Sequence, residues 1–312
     1  MGWQATMQHK ELYSTDGTRI SYQVLGKGTR TLVLANGLGG RLYTWGPLID
    51  YFWEDYKIIT WDYRGLFESG APEEKHGLAI PFHVQDAITI LDKEAVTEAV
   101  FVGWSMGCLV SLELIARHPD RTAGFIGING IHGHALQTGF QPLFRVPLVP
   151  GALHSILEWL IDRPETSDSV ALLTRLIELP TVLVATITAG LKSRKLRPIM
   201  RQYYDDVLGD SYENFLRLFQ ELDAHSVYHL LREIQTPSLV ISGALDVLAP
   251  PYQSREMAQR MPNAEHLNIK RGSHFCIIER PEIINNAIHS FLGNRVRWKT
   301  PKPYIREVTA AS

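Results

Sequence analysis

The amino-acid sequence predicts an α/β protein: a mostly parallel sheet with helices on both faces and one helical insertion. Three observations predict it. Short apolar, β-branched runs alternate with segments of helical apolar spacing over most of the chain. The alternation stops after residue 134 and resumes after residue 231. The best-marked strand-to-helix join carries Gly103-Trp104-Ser105-Met106-Gly107, a G-x-S-x-G pattern that holds a serine on a tight turn clear of the sheet. In sheets of this kind the reactive groups gather beyond the carboxyl ends of the strands.

Composition sets the outer bounds. The 312 residues are 45% hydrophobic, enough for a large core, and the formal net charge is −2. No run of Lys and Arg offers a surface to nucleic acid or to an anionic membrane, so neither is an expected partner. The two cysteines, Cys108 and Cys276, are too few for a disulfide framework and lack metal-ligand spacing. They read as reduced thiols of a cytoplasmic protein. Met1-Gly2-Trp3-Gln4-Ala5-Thr6 lacks the apolar core of a signal peptide. The longest apolar stretches are too short for a membrane span or are broken by Arg and Pro.

In chain order, Leu12 to Val24 reads as two strands around the turn Thr15-Asp16-Gly17. Thr31–Ala35 is a continuous apolar run, hence a buried strand, and it enters Asn36-Gly37-Leu38-Gly39-Gly40. Three glycines in five residues leave backbone N–H groups free to face a ligand. Tyr43 to Phe52 fits a helix, Lys57–Trp61 a strand, and Ile80 to Asp92 a helix with Val84, Ala87, Ile88 and Leu91 on one face. Between them, Asp62 and Arg64 are assigned to holding their loop by hydrogen bonds. The strand at Val100–Trp104 leads through Ser105 into a helix reaching His118. Met106 thereby sits at a helix N-terminus, where its N–H favours negative charge.

Phe125–Asn129 is the next strand. Residues 135–231 are then helical in pattern and punctuated by prolines, with apolar stretches at Ala152–Ile161 and Val182–Leu191. Ser238–Ser242 and Glu265–Ile269 are strands, and Pro251–Met261 and Pro281–Phe291 helices, with Gly293 as the stop signal of the last.

A serine hydroxyl needs a base to take its proton, and the base needs a partner to hold its tautomer. The loops after the last two strands supply both types, Asp246 in Gly243-Ala244-Leu245-Asp246 and His274 in Gly272-Ser273-His274-Phe275. The chain order is serine, acid, histidine. His132 and His134 also lie at a strand end and stand as competing bases. Asp246 has no such rival, because the strand ending at Asn129 carries no carboxylate there.

These residues resemble the α/β-hydrolase fold family, in the branch of serine esterases, haloperoxidase-like perhydrolases and meta-cleavage-product hydrolases. The resemblance covers roughly Leu12 to Leu292. It implies Ser105 as nucleophile, Asp246 as acid, His274 as base, and an oxyanion hole formed by the Leu38 and Met106 N–H groups. It also implies a core of residues 1–134 and 232–312 with 135–231 as a helical cap. Asp62-Tyr63-Arg64-Gly65 with Ser69 is similar to that family's D-x-R-G-x-G-x-S loop, though Leu66-Phe67-Glu68 replaces small residues. Two positions depart from the family pattern. Asn36 stands where a histidine is usual, and is expected to hydrogen-bond the loop in its place; Cys108 stands where a second glycine often follows the motif. A serine at the elbow argues against the dehalogenase and epoxide-hydrolase branches, whose nucleophile is a carboxylate.

The expected activity is cofactor-free hydrolysis of small apolar carboxylic esters through an acyl-enzyme, with Trp104 and Phe275 on an apolar pocket beside Leu38 and Met106. A C–C bond hydrolase, an acyltransferase and a ligand-binding receptor with an intact triad share the same motifs. No phosphate-binding, haem or metal motif is present in the sequence.

Overall fold

The computed structural model describes residues 2–138, 155, 159, 196–207 and 212–299. The chain enters as a hairpin, β1 (Gln8–Tyr13) and β2 (Arg19–Leu25), paired antiparallel from Gln8–Val24 to Tyr13–Arg19. The expected turn at Thr15-Asp16-Gly17 joins them, with Gly17 at positive φ. There follow β3 (Arg30–Ala35), α1 (Gly46–Phe52), β4 (Tyr56–Trp61), α2 (Ile80–Lys93), β5 (Ala99–Trp104), α3 (Met106–Arg117) and β6 (Thr122–Ile128). Between β6 and the next strand the described residues form α4 (Ala135–Thr138), α5 (Leu196–Val207) and α6 (Tyr212–Ala224). The chain closes with β7 (Ser238–Gly243), α7 (Pro251–Arg260), β8 (Ala264–Ile269), α8 (Cys276–Glu279) and α9 (Pro281–Asn294).

The eight strands form one sheet in the order β1-β2-β4-β3-β5-β6-β7-β8, parallel from β4 to β8. The reason lies in the side chains. β3, β5, β6 and β7 are buried along their length, save Arg30 at the start of β3, and mostly apolar, because helices cover both faces. Alternate residues divide between two cores: Val33, Ala35 and Phe101 pack with α2, α3 and α7, while Leu32, Leu34, Val100 and Val102 pack with α1 and α9. Edge strands β1 and β8 carry the polar, exposed positions, such as Glu11 and Glu265.

Two boundaries differ from expectation. Tyr43 to Phe52 divides into a 3₁₀ turn, Leu42–Trp45, and α1, whose first turn takes Pro47. Gly293 lies inside α9, which runs on to Asn294. One glycine costs a helix only about 1 kcal/mol relative to alanine, and Phe291 and Leu292 beside it are buried. The Val182–Leu191 stretch, all of 152–161 except residues 155 and 159, and residues 300–312 lie outside the described residues. Among the described residues no helix is long and apolar enough to cross a membrane.

Candidate active site

Ser105 occupies the single residue between β5 and α3, at φ 54 and ψ −117. An L-residue adopts that conformation only when its surroundings enforce it. Here Ser105 N–H donates to Ile128 O at 3.0 Å, and Ser105 O accepts from Cys108 N–H at 3.0 Å. Close packing supplies the rest. A methyl group on Gly103 would lie 2.6 Å from Cys108 N, and one on Gly107 would collide with the Ala35 carbonyl. Glycine at both positions lets α3 start directly against the loop after β3. Ser105 keeps partial exposure between the buried Trp104 and Met106.

The candidate base and acid come from neighbouring strands. Asp246 N–H donates to Gly243 O at 3.1 Å, closing a tight turn off β7. Its Oδ1 accepts from the Leu248 and Ala249 N–H groups, both at 2.9 Å, and its Oδ2 lies 2.8 Å from His274 Nδ1. A neutral imidazole paired in this way donates from Nδ1 and leaves Nε2 to accept. Strands β5 and β8 stand three spacings apart, roughly 14 Å. Yet Trp104 Nε1 donates to His274 O at 3.0 Å, so the loop after β8 folds back across the sheet end to the Ser105 elbow. Among the described residues the Ser105 hydroxyl makes no hydrogen bond; such bonds tighten in many enzymes only once substrate is bound.

The loop after β3 is fixed from below. Asn36 is buried; Nδ2 donates to Trp61 O at 2.6 Å, Oδ1 accepts from Trp45 Nε1 at 2.7 Å, and its carbonyl accepts from Tyr63 OH at 2.7 Å. The amide thus ties the start of the loop to the end of β4 and to Trp45. Gly107 packs on the Ala35 and Asn36 carbonyls, which makes the Leu38 loop and the first turn of α3 neighbours. Among the described residues neither the Leu38 nor the Met106 N–H donates to a protein acceptor. The Leu38 carbonyl accepts from Tyr203 OH of α5 at 2.7 Å.

Phe275 packs its ring 5.5 Å from Trp104 and 6.3 Å from Tyr203. Trp104 is only 2% exposed, so its ring underlies the His274 loop and backs the site. Asp62 and Arg64 hold their loop through separate partners. Arg41 pairs with Asp62 at 2.9 Å, while the buried Arg64 binds Asp86 and Asp16, each at 2.6 Å. Burial raises the Asp62 carboxyl above the ordinary range although Arg41 opposes it. The competing histidines have other neighbours: His132 Nε2 lies 3.6 Å from Glu256, and His134 Nδ1 lies 3.1 Å from Asp223 O. Both cysteines are buried and free, and burial pushes the Cys108 thiol up to about 12, which removes it as a nucleophile at neutral pH. Cys108 bonds Gly103 O, and Cys276 bonds Asn129 Oδ1, each at 3.1 Å.

Sequence reasoning missed Asn129, Arg41 and Tyr203. Asn129 carried a usable signal, an Asn before Gly at a strand end, because Asn tolerates positive φ. Arg41 and Tyr203 gave none, since their partners lie far along the chain. Among the described residues no group of three or more His, Cys, Asp and Glu side chains is placed to hold a metal ion.

A family model described as alpha/beta hydrolase fold matches residues 30–281. The chain is 26% identical over 279 residues to the candidate carbamate hydrolase RutD of Caulobacter segnis, covering 88% of this chain and 96% of that one. It is 24% identical over 301 residues to 3-oxoadipate enol-lactonase 2 of Acinetobacter baylyi, covering 91% and 96%. The solved structure of the esterase EaEST from Exiguobacterium antarcticum matches with a TM-score of 0.72 at 16% identity, covering 92% of this chain and 100% of that one, a likeness of fold.

Proposed function

The chain belongs to the α/β-hydrolase fold family, and from that premise we propose that it is a serine hydrolase of apolar carboxylic esters working through an acyl-enzyme. Ser105 Oγ attacks the ester carbonyl while His274 Nε2 takes its proton and passes it to the leaving alkoxide. Asp246 holds the imidazole in the required tautomer and stabilises its charged form. The Leu38 and Met106 N–H groups face the oxyanion. A water activated by His274 then releases the acid. The observation that carries this reading is the 2.8 Å contact of His274 with an Asp246 carboxylate already bound by two N–H groups, on a loop tied by Trp104 to the strained Ser105.

The reading includes an apolar pocket with Phe275 on its wall and Trp104 behind it. It includes residues 135–231 as a cap over a core of 1–134 and 232–312. Support for the cap is that Tyr203 of α5 bonds Leu38 O and Asn214 of α6 bonds Gly65 O. Two buried free thiols support a reducing, cytoplasmic setting.

The test is turnover of p-nitrophenyl esters of increasing acyl length, with a lactone and an aryl carbamate as further arms because of the relatives named above. The intact protein hydrolyses at least one medium-chain ester, and Ser105→Ala loses on the order of 10⁴–10⁶ in kcat. Retention of more than about one per cent by the variant would remove the nucleophile assignment. Preference for the lactone or carbamate arm would redirect the substrate class while leaving the machinery in place. Formation of a new ester with an added alcohol would mark acyl transfer.

A further inference from the structure

We infer that Asn129 is the positioning residue that sets the acid and base loops against each other, an inference that rests on the hydrolase reading above. Asn129 follows β6, the strand between Ser105's strand and Asp246's strand. It is fully buried and holds φ 49. A side chain kept in that conformation at a strand end is kept for what it binds.

Its backbone N–H and both ends of its carboxamide are engaged. Its N–H donates to Ile241 O at 2.8 Å, which closes the β6–β7 ladder. Its Oδ1 accepts from Gly243 N–H at 3.0 Å, where the Asp246 turn leaves β7, and from Cys276 Sγ at 3.1 Å. Its Nδ2 donates to Ser273 O at 2.7 Å, the carbonyl directly before His274. One carboxamide therefore grips the root of the acid turn with its acceptor and the root of the base loop with its donor. A carboxylate in its place lacks the donor, and a hydroxyl cannot reach two sides.

The two roots also touch. A methyl group on Gly243 would meet Ser273 O at 2.5 Å, and Leu245 N–H donates to Gly272 O at 2.9 Å. Both loops are thus in backbone contact, and the Asn129 amide fills the corner between them. Without it the Gly243 N–H and the Ser273 carbonyl lose buried partners, and the His274–Asp246 contact loses its fixed length. Asn129 touches no reacting atom, so its effect falls on kcat, with KM nearly unchanged.

The experiment compares the intact protein with Asn129→Gly, which keeps the backbone conformation, and Asn129→Asp, which keeps the shape and the acceptor but loses the donor. Far-UV circular dichroism establishes folding. The readouts are kcat and KM on a p-nitrophenyl ester and the downfield proton resonance of His274 Nδ1–H. The expected result is a kcat lower by about 10–100-fold with KM within about twofold. The downfield resonance broadens or disappears. A folded variant with kcat within twofold and an intact resonance would overturn the inference. If Asn129→Gly fails to fold, Asn129→Asp decides alone. The resonance does not depend on turnover. A protein that hydrolyses no ester but loses the resonance on substitution would therefore retire the hydrolase reading and leave the positioning intact.

Discussion

At the residue scale, the candidate site rests on a few side chains whose surroundings leave them one geometry. Ser105, Asp246 and His274 act as one unit in the proposed mechanism, so their losses should not multiply. Asp246→Asn and His274→Ala are each expected to lose most turnover, and either combined with Ser105→Ala to lose little more than Ser105→Ala alone. Steady-state kinetics on one ester tests this; fully multiplicative losses would show three independent contributors. A second residue-scale prediction concerns stability. Burial and the nearby Arg64 charge hold the His83 imidazole at about 3, against the hydrogen bond with Leu78 O. Unfolded, it titrates near the ordinary value of 6.5. Between those values the unfolded chain binds a proton that the folded chain refuses, so folding stability falls as pH drops through the window. From pH 6.5 to 4.5 this histidine removes about 2–3 kcal/mol. His83→Gln should lose that much less over the same interval in urea unfolding, whereas parallel curves would contradict the assignment. The three proposed catalytic residues were legible because each is a chemically distinctive type at the end of an apolar run. Asn129 carried only the signal of an Asn-Gly pair at a strand end, which reads equally well as a plain turn.

At the element scale, the strands were readable from their apolar runs, and observed ends fall within a few residues of those expected. Continuous burial on both faces leaves little ambiguity at β3, β5, β6 and β7. Legibility failed where tertiary contacts outweigh local preference. Gly293 stays helical because its neighbours pack into the core, and the aromatic segment before Phe52 begins as a 3₁₀ turn around Trp45, whose indole is bonded to Asn36. Helix α5 carries no sign of its target in its own sequence; its Tyr203 finds the Leu38 carbonyl across most of the chain. Tyr203→Phe removes that hydrogen bond and keeps the ring beside Phe275. Losing a bond worth about 0.5–1.5 kcal/mol of folding stability predicts a melting temperature lower by no more than about a few degrees, and a loosened Leu38 loop lowers kcat/KM by up to about 12-fold. An unchanged kcat/KM would mean that α5 does not steady the loop after β3.

At the scale of the whole molecule, the sheet order brings five loops side by side: those after β3, β5, β6, β7 and β8 carry Leu38, Ser105, Asn129, Asp246 and His274. Parallel strands put all five carboxyl ends on one edge, so residues far apart in sequence meet there. This was legible from alternation alone, because strand–helix–strand units fix the direction of each strand. The contacts of α5 and α6 with Leu38 and Gly65 were not, since they depend on where amphipathic helices dock rather than on their pattern. The central claim is that this edge transfers an acyl group to Ser105, and its most direct measurement is mass spectrometry of the protein quenched in acid during turnover of a slow ester. The account predicts one acyl mass added, located on the peptide containing Ser105, and absent from Ser105→Ala. An adduct on another residue, or turnover with no adduct under conditions where product release follows a burst, would contradict it.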